Sequence, residues 1–133
     1  ICYFIDDIYN LVNALKRQSE LIFIREKDYI QNPKPNGYRS FHVIIAVPVY
    51  YLDTMEYFPV EIQLRTMTMD LWASMEHRVC YKKLPEHRDE LAEAFCQYAD
   101  ILGKIEEQFE AYNETGMLEE ITPAQITENP TEG

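Results

Sequence analysis

Three short segments of the chain carry polar side chains at every second position. These side chains are Arg25 and Lys27 in the first segment, Tyr38, Ser40 and His42 in the second, and Glu61, Gln63 and Arg65 in the third. Cationic groups bind phosphate, aromatic rings stack on nucleotide bases, and carboxylates are ligands for hard divalent cations. The same alternation is typical of a sheet face in contact with solvent, and this is the simplest explanation of the pattern taken alone.

Two observations favour a binding site over a solvated face. The polar set is chemically varied, because it includes the aromatic ring of Tyr38 and the imidazole of His42. It also adjoins a loop over 31–37 (QNPKPNG), which contains two prolines, ends in Asn-Gly and carries Lys34 and Asn36. Rigid loops of this kind are where ligand-binding groups are often mounted.

The hydrophobic periodicity predicts the elements that position these segments. It predicts the end of a buried strand at 1–4, a helix opened by Asp6 and Asp7, strands at 21–30, 38–49 and 55–65, a helix at 66–83 capped by Thr66, and a long helix at 86–113. Pro59 indicates an edge strand or a bulge. The order implies an α+β fold, with helices packed on a mostly antiparallel or mixed sheet. The four glycines form neither a P-loop nor a G-x-G-x-x-G motif.

Charge divides the chain into unequal parts. The net charge is -11, but residues 1–83 hold ten basic and ten acidic residues, whereas 84–133 hold two basic and thirteen acidic ones. We therefore expect three parts: a core over 1–85, a long amphipathic helix over 86–113 and a flexible acidic tail over 114–133. The neutral core can host a cationic site, and the total charge argues against binding to a nucleic-acid backbone.

Several other classes of protein are not expected from the composition. No apolar run approaches the ~18 residues of a membrane span, and no signal peptide is apparent. The three cysteines, Cys2, Cys80 and Cys96, form neither a zinc pattern nor an even disulfide set. A reducing, cytoplasmic location without membrane contact is the expectation.

Three motifs in this order resemble the synthetase domain of the RelA/SpoT family. They lie at 34–42 (KPNGYRSFH), 61–66 (EIQLRT) and 69–77 (MDLWASMEH), and Tyr81-Lys82 follows. The Trp-Ala-Ser-x-Glu-His form of the third motif is similar to the form found in small, single-domain alarmone synthetases. The resemblance covers about residues 1–112. It implies a nucleotidyltransferase-like mixed sheet flanked by helices, compatible with the predicted elements.

The resemblance implies transfer of the β,γ-pyrophosphate of ATP to the 3′-hydroxyl of GDP or GTP, which makes (p)ppGpp in the stringent response. Glu61 would be the catalytic residue and a ligand of Mg²⁺, and could also assist deprotonation of the 3′-hydroxyl. A glutamate on a wet sheet face remains the alternative for Glu61.

The resemblance also assigns residues to the acceptor nucleotide. Tyr38 would stack on guanine, Asp70 would accept from the guanine N1–H and N2–H₂ groups, and Asn36, His42 and Gln63 would contact the same nucleotide. Phosphate would be bound by Lys34, by Arg25 or Lys27 on the neighbouring strand, and by Arg65. Most of these residues also have a purely structural explanation. Tyr38 could pack against a neighbouring strand residue, and His42 could be a structural histidine whose hydrogen bonds are made within the fold. The basic residues could be ordinary surface cations, and Asp70 could interact favourably with the dipole at the start of its helix.

One family motif is not in the chain. The family's other magnesium carboxylate belongs to an Asp-x-x-Gly-x-Arg motif immediately before the position of Ile1, and the residues that grip ATP lie further upstream. We therefore expect this chain alone to be inactive. Alarmone hydrolysis is not expected either, because Arg88 separates His87 from Asp89. Two other hypotheses remain open: a non-catalytic guanine-nucleotide sensor, and a helical assembly module.

The long helix carries a heptad seam of apolar residues: Leu91, Phe95, Tyr98, Leu102, Ile105, Phe109 and Tyr112. The seam predicts either packing on the helix's own domain or contact between copies, as in the homotetramers of small synthetases that this chain resembles. In both cases the solvent side would carry Glu93, Glu106, Glu107 and Glu110.

Overall fold

The computed structural model describes residues 1–81 and 85–115. Its elements are, in chain order, α1 (Ile5–Lys16), β1 (Ile22–Asp28), β2 (Phe41–Tyr51), β3 (Thr54–Leu64), α2 (Met67–Cys80), a 3₁₀ turn (Pro85–His87) and α3 (Arg88–Thr115). The α+β class is confirmed, and so is the predicted order of helices and strands apart from the strand predicted at 1–4. The predicted tail lies outside the described residues from position 116 onward.

The three strands form an antiparallel sheet in the order β1-β2-β3. Their register aligns Lys27 with His42 and His42 with Gln63, and one row further it aligns Arg25 with Ile44 and Ile44 with Glu61. The polar side chains that alternate along the three strands therefore share one face of the sheet, as the spacing predicts.

A shift in register between Phe23 and Arg25 of β1 makes this arrangement possible. Phe23 pairs with Ile45, whose side chain is on the core face, whereas Arg25 pairs with Ile44 on the opposite face. In a regular strand, two residues of the same parity would share a face. The bulge thus sends Phe23 to the core and Arg25 to the polar face.

The main core lies between α1, the start of α2 and the apolar face of the sheet. Ile8 and Val12 from α1 meet Val43, and the cluster is completed by Phe41, Ile45, Leu64 and Met69. A second cluster joins α2 to α3, where Trp72 packs on Phe95 and Ala99. The indole Nε1 of Trp72 also donates to the Phe95 carbonyl oxygen over 2.7 Å. The first cluster thus packs α1 against the sheet, and the second packs α3 against α2.

The first four residues differ from the prediction of a buried strand. Ile1 is 74% exposed, and Cys2 forms only an isolated parallel bridge with Thr66. The helix that follows begins at Ile5, so Asp6 and Asp7 lie in its first turn and do not cap it. The Asp7 carboxylate instead accepts from the backbone N–H of Phe4 over 3.0 Å, which satisfies a donor at the helix start.

The structure also differs from the prediction for Ser40. Ser40, expected on the polar face, is fully buried and precedes β2, which begins at Phe41. Phe58 and Val60 lie on the same face of β3 as Leu64 but remain 49% and 40% exposed. Pro59 is on β3, which pairs with β2 alone among the described strands, as expected for an edge position.

Part of the predicted heptad seam of α3 packs on the chain, since Phe95 is buried and Leu102 packs against the same cluster. Phe95, Ala99 and Glu106 are buried, whereas five large apolar residues are 40–62% exposed: Tyr98, Ile101, Ile105, Phe109 and Tyr112. Glu93 and Glu107 are exposed as predicted, but the prediction for Glu106 is wrong and Glu110 is partly buried. Burial raises the pKa of the Glu110 carboxyl, and Asp6, Glu114 and Glu106 reinforce the effect.

Within 1–81 and 85–115, no helix is both long enough and apolar enough to cross a bilayer.

Candidate functional site

The loop before β2 delivers Tyr38 to the polar face and is fixed by its own backbone. The Gly37 N–H donates to the Lys34 carbonyl over 2.9 Å, and the Lys34 N–H donates to the Tyr38 carbonyl over 3.1 Å. The Asn36 side-chain oxygen accepts from the Tyr38 N–H over 3.1 Å. Gly37 has φ +96°, and a Cβ there would lie 3.0 Å from the Cβ of Ala99. Only glycine fits this turn against α3 without strain.

A chain of hydrogen bonds starts at the Tyr38 hydroxyl. Its oxygen lies 3.0 Å from Nε2 of His42 and accepts from Nη2 of Arg65 over 3.0 Å. Oε1 of Glu61 lies 3.4 Å from Nδ1 of His42, and because a carboxylate can only accept, a neutral imidazole carries its proton on Nδ1. Nε2 is then left to accept from the Tyr38 O–H. The network therefore links Tyr38 to the carboxylate of Glu61 through a neutral imidazole.

Arg65 connects this series of hydrogen bonds to the start of α2. Its guanidinium donates to Asp70 over 3.3 Å and to the Gln63 side-chain oxygen over 3.4 Å. The Gln63 amide in turn donates to Oε1 of Glu61 over 3.4 Å. Burial alone would lower the pKa of Arg65, but the hydrogen bonds and charge interactions with Tyr38 and Asp70 outweigh it, and the pKa is raised. The guanidinium is thus held charged at the centre of the site.

A cationic groove lies beside this network. Arg25, Lys27 and Lys34 line it together with Tyr29, His42 and Glu61, around a cavity of about 220 Å³. Nζ of Lys34 lies 5.0 Å from the ring centre of Tyr29 and 4.9 Å from that of Tyr38, within the range of cation–π attraction. The lining also includes Glu26, which forms an ion pair with Lys16 over 2.8 Å, so the three cations outnumber the carboxylates and suit a ligand that carries negative charge.

A second cleft opens on the other side of Tyr38. Tyr38 and Arg65 form one wall, and α2 contributes Ala73, Ser74, Glu76 and His77. Arg65 also lies over the Tyr38 ring, with 5.4 Å between Cζ and the ring centre. A flat aromatic ligand that reaches this cleft meets both an aromatic ring and a planar guanidinium, which are the groups on which nucleotide bases stack.

The structure brings together most of the predicted site residues. Six of them belong to one hydrogen-bonded network: Tyr38, His42, Glu61, Gln63, Arg65 and Asp70. Lys34, Arg25 and Lys27 line the adjoining groove. The oxygen of Asn36 is used within its own loop, so only its amide group is left for a ligand.

Sequence reasoning missed Tyr29 and Trp72. Tyr29 packs edge-on against both Tyr38 and His42, with ring centres 5.9 and 5.3 Å apart. Tyr29 follows Arg25 and Lys27 at every second position, so the alternation of the sequence already predicted that it shares their face. Trp72 supports Tyr38 from the opposite side at 6.3 Å. That contact depends on how α2 crosses the sheet, which periodicity does not report.

Glu61 offers one carboxylate to a cation at this site. Its side chain is 53% exposed and its Oε1 already faces His42. Among the described residues, the one cluster of three acidic or metal-binding side chains is Asp6, Glu110 and Glu114, on a different surface. Magnesium commonly takes one or two carboxylates and completes its shell with water and phosphate oxygens. Glu61 therefore fits such an ion as a single protein ligand.

Comparison with known proteins agrees with this geometry. A family model described as a region found in RelA / SpoT proteins matches residues 1–86. The chain belongs to the RelA/SpoT family. Among curated relatives of this family member, the GTP pyrophosphokinase YwaC of Bacillus subtilis (strain 168) is 47% identical over 108 residues, which cover 81% of this chain and 51% of the relative. GTP pyrophosphokinase YjbM of the same organism is 35% identical over 82 residues, which cover 62% and 39%.

Solved structures give the same result for this RelA/SpoT chain. Small alarmone synthetase 2 from Bacillus subtilis superimposes with a TM-score of 0.78 at 44% identity, over 86% of this chain and 64% of that one. Small alarmone synthetase 1 from the same organism, bound to its product pppGpp, gives 0.74 at 27% identity, over 86% and 59%. The chain spans about half the length of YwaC and less of YjbM.

The position of His42 predicts how stability depends on pH. Burial lowers its pKa below 6.5; Arg65 and Lys34 add to this and Glu61 opposes it. As pH falls through 6.5, the unfolded chain takes up this proton before the folded chain does, so the free energy of unfolding decreases. Urea unfolding of the wild type between pH 7.5 and 5.5 should show this loss, and His42→Gln should show a shallower one. Equal slopes in the two proteins, or a steeper slope in His42→Gln, would contradict the assignment.

Proposed function

We propose that this chain forms the acceptor side of a GTP pyrophosphokinase. The reaction transfers the β,γ-pyrophosphate of ATP to the 3′-hydroxyl of GDP or GTP and makes the (p)ppGpp of the stringent response. The observation that carries the proposal is the hydrogen-bonded network of Tyr38, His42, Arg65 and Glu61 beside a cationic groove. The names of YwaC and YjbM and the pppGpp-bound neighbour support it.

Guanine is assigned to the cleft between Tyr38 and α2. Lys34 and Arg65 both lie over the Tyr38 ring, so a stacked base displaces one cation or extends the stack onto the guanidinium. The Asp70 side chain is 41% exposed and already accepts from Arg65. Its carboxylate can also accept from guanine N1–H and N2–H₂. Adenine, which has no N1 proton, cannot make this pair of bonds.

The phosphates of the acceptor are assigned to the groove on the β1 side. Lys34, Arg25 and Lys27 converge there, and Arg25 and Lys27 occupy successive positions on the polar face because of the register shift. Lysines bind phosphate as point charges, whereas the arginine fork can bind two oxygens at once. This set suits the diphosphate or triphosphate of GDP or GTP.

Glu61 is assigned to the reacting 3′-hydroxyl. Its carboxylate is held from two sides, by the imidazole of His42 and the amide of Gln63, and more than half of the side chain is exposed toward the groove. It can accept the proton of an incoming hydroxyl and contribute one ligand to Mg²⁺. A bound magnesium ion would neutralise charge on the transferring phosphoryl groups. His42, Gln63 and Arg65 keep Glu61 in place.

The proposal places the enzyme in the cytoplasm, without a nucleic-acid or membrane partner. Cys2 and Cys96 form no disulfide among the described residues, as is usual in a reducing compartment. The electrically balanced segment 1–83 can attract a small polyanion, whereas the net charge of -11 disfavours a long one.

Glu61→Gln separates catalysis from binding. The amide keeps the shape of the side chain but removes the charge and the basic oxygen. In the full-length gene product, we expect pyrophosphate transfer from ATP to GDP to fall at least ~100-fold, a typical loss for a proton-transfer group. Calorimetry should show GDP binding within about threefold of the wild type. Product formation would be followed by nucleotide chromatography.

Glu56→Gln is the matched control, because Glu56 is an exposed position on the same strand. It should leave the rate unchanged. A wild-type rate in Glu61→Gln would contradict the assigned role. GDP binding without any turnover by the unmodified gene product would instead support a non-catalytic guanine-nucleotide sensor.

We also infer that α3 mediates homo-oligomerisation, with a tetramer as the expected form. The exposed apolar residues of α3 include Ile101, Ile105 and Phe109, and Phe109 is 62% exposed. Their successive spacing of four residues places them along one side of the helix. An unpartnered apolar stripe of this kind is typical of a helix that packs against another.

Phe109→Glu tests this inference, because a carboxylate on the stripe would be buried between copies. Sedimentation velocity over a concentration series should show association of the wild type and a shift toward monomer in Phe109→Glu. Glu107→Gln, on the exposed side of the same turn, should behave as the wild type does. A monomeric wild type at every concentration would contradict oligomerisation through α3.

A further inference from the structure

Glu106 is a carboxylate buried between α3 and the start of α2. It is 4% exposed, although its heptad position predicted contact with solvent. Its Oε2 accepts from Oγ1 of Thr66 over 2.6 Å and from Oγ1 of Thr68. Within the described residues, its Oε1 has no hydrogen-bond partner and no lysine or arginine forms an ion pair with it. Burying a carboxylate costs free energy unless hydrogen bonds or a paired charge compensate for the lost hydration. Here the two threonine hydroxyls are the partners that compensate.

The two threonines belong to the junction between β3 and α2. Thr66 is fully buried, and besides donating to Glu106 its hydroxyl accepts from the N–H of Met69 over 3.3 Å as the helix cap. On the other side of the junction, Cys2 donates to the Arg65 carbonyl over 2.8 Å and accepts from the Met67 N–H over 3.0 Å. The junction is therefore held from α3 by a side chain and from residue 2 by backbone bonds.

The junction includes the residue at the centre of the site. Arg65 directly precedes Thr66, and its guanidinium contacts Tyr38 and Asp70. Asp70 is tied to the same junction, because its N–H donates to the Thr66 carbonyl over 3.0 Å. A rotation of this junction would therefore change how both Arg65 and Asp70 meet the base assigned to the Tyr38 cleft.

We propose that Glu106 is a positioning residue for the acceptor site. By holding the hydroxyls of Thr66 and Thr68, it fixes the β3–α2 junction and with it the direction in which Arg65 presents its guanidinium to Tyr38 and Asp70. Glu106 touches neither nucleotide nor metal. The inference rests on the proposed function only in its choice of GDP as the ligand.

Glu106→Leu and Glu106→Gln distinguish positioning from bulk packing. Leucine fills a similar volume without an acceptor, whereas glutamine keeps an oxygen for the threonine hydroxyls. Calorimetry on the complete chain should show GDP binding roughly 3- to 30-fold weaker in Glu106→Leu, the range found when coupled positions are altered. Glu106→Gln should lie within about twofold of the wild type. Glu107→Leu, at the exposed neighbouring position, is the matched control and should bind GDP as the wild type does.

The NMR resonances of the Arg65 guanidinium supply a readout that a purely structural role would not move. In the wild type the guanidinium donates to the Tyr38 hydroxyl over 3.0 Å and to Asp70 over 3.3 Å. If Arg65 swings away in Glu106→Leu, its guanidinium resonances and the ring resonances of Tyr38 should shift, and in Glu106→Gln both should stay as in the wild type. Circular dichroism melting checks that each variant is folded.

A folded Glu106→Leu chain with unchanged GDP affinity and unchanged Arg65 guanidinium resonances overturns the proposal. If Glu106→Leu does not fold, Thr68→Val removes one of the two donors and keeps the Thr66 cap; a shift of the Arg65 guanidinium resonances then supports positioning, and no change overturns it. If the unmodified chain fails to bind GDP, the proposed function fails, while the Arg65 resonances still test the role of Glu106.

Discussion

The arrangement of the polar face depends on the Arg65 guanidinium. It donates to the Tyr38 hydroxyl and to Asp70, and the same hydroxyl lies 3.0 Å from Nε2 of His42. The neutral imidazole then presents Nδ1–H to Glu61. Hydrogen bonds that involve a charged group are stronger than neutral ones, and burial strengthens them further. One fixed cation therefore orders an aromatic ring, an imidazole and a carboxylate that come from three different parts of the chain.

Backbone geometry supplies the positions that this cation connects. The bulge between Phe23 and Arg25 directs two basic side chains to the polar face without losing a core aromatic residue. Gly37, at positive φ, lets the loop approach α3 closely enough to deliver Tyr38. The Thr66 cap then starts α2 directly after Arg65, so Asp70 comes within reach of the guanidinium. Strand register, turn conformation and helix capping thus each position side chains of the same polar cluster around Arg65.

Much of this was predictable from the sequence, because alternation, capping and turn residues are local signals. The parity of His42, Glu61 and Gln63 indicated one shared face, and Thr66 indicated the start of α2. The burial of Glu106 was not predictable from periodicity. Phe95 and Ala99 pack against Trp72 and Glu106 is also buried, whereas Phe109 and Tyr112 at the end of the seam are exposed. Which part of a helix face is buried depends on tertiary contact, and the amphipathic pattern alone left packing on the domain and contact between copies equally open.

An NMR titration of the labelled chain with GDP, followed at the side-chain resonances of Tyr38 and His42, tests most directly whether this cluster binds an acceptor nucleotide. We predict saturable shifts of both rings, smaller shifts with ADP at equal concentration because adenine lacks the N1 proton that Asp70 accepts, and no shift of Tyr50 or Tyr51 at the far end of the sheet. Equal shifts with GDP and ADP would contradict guanine recognition by Asp70. Resonances of Tyr38 and His42 that stay unchanged at saturating GDP would contradict the assignment of the site itself.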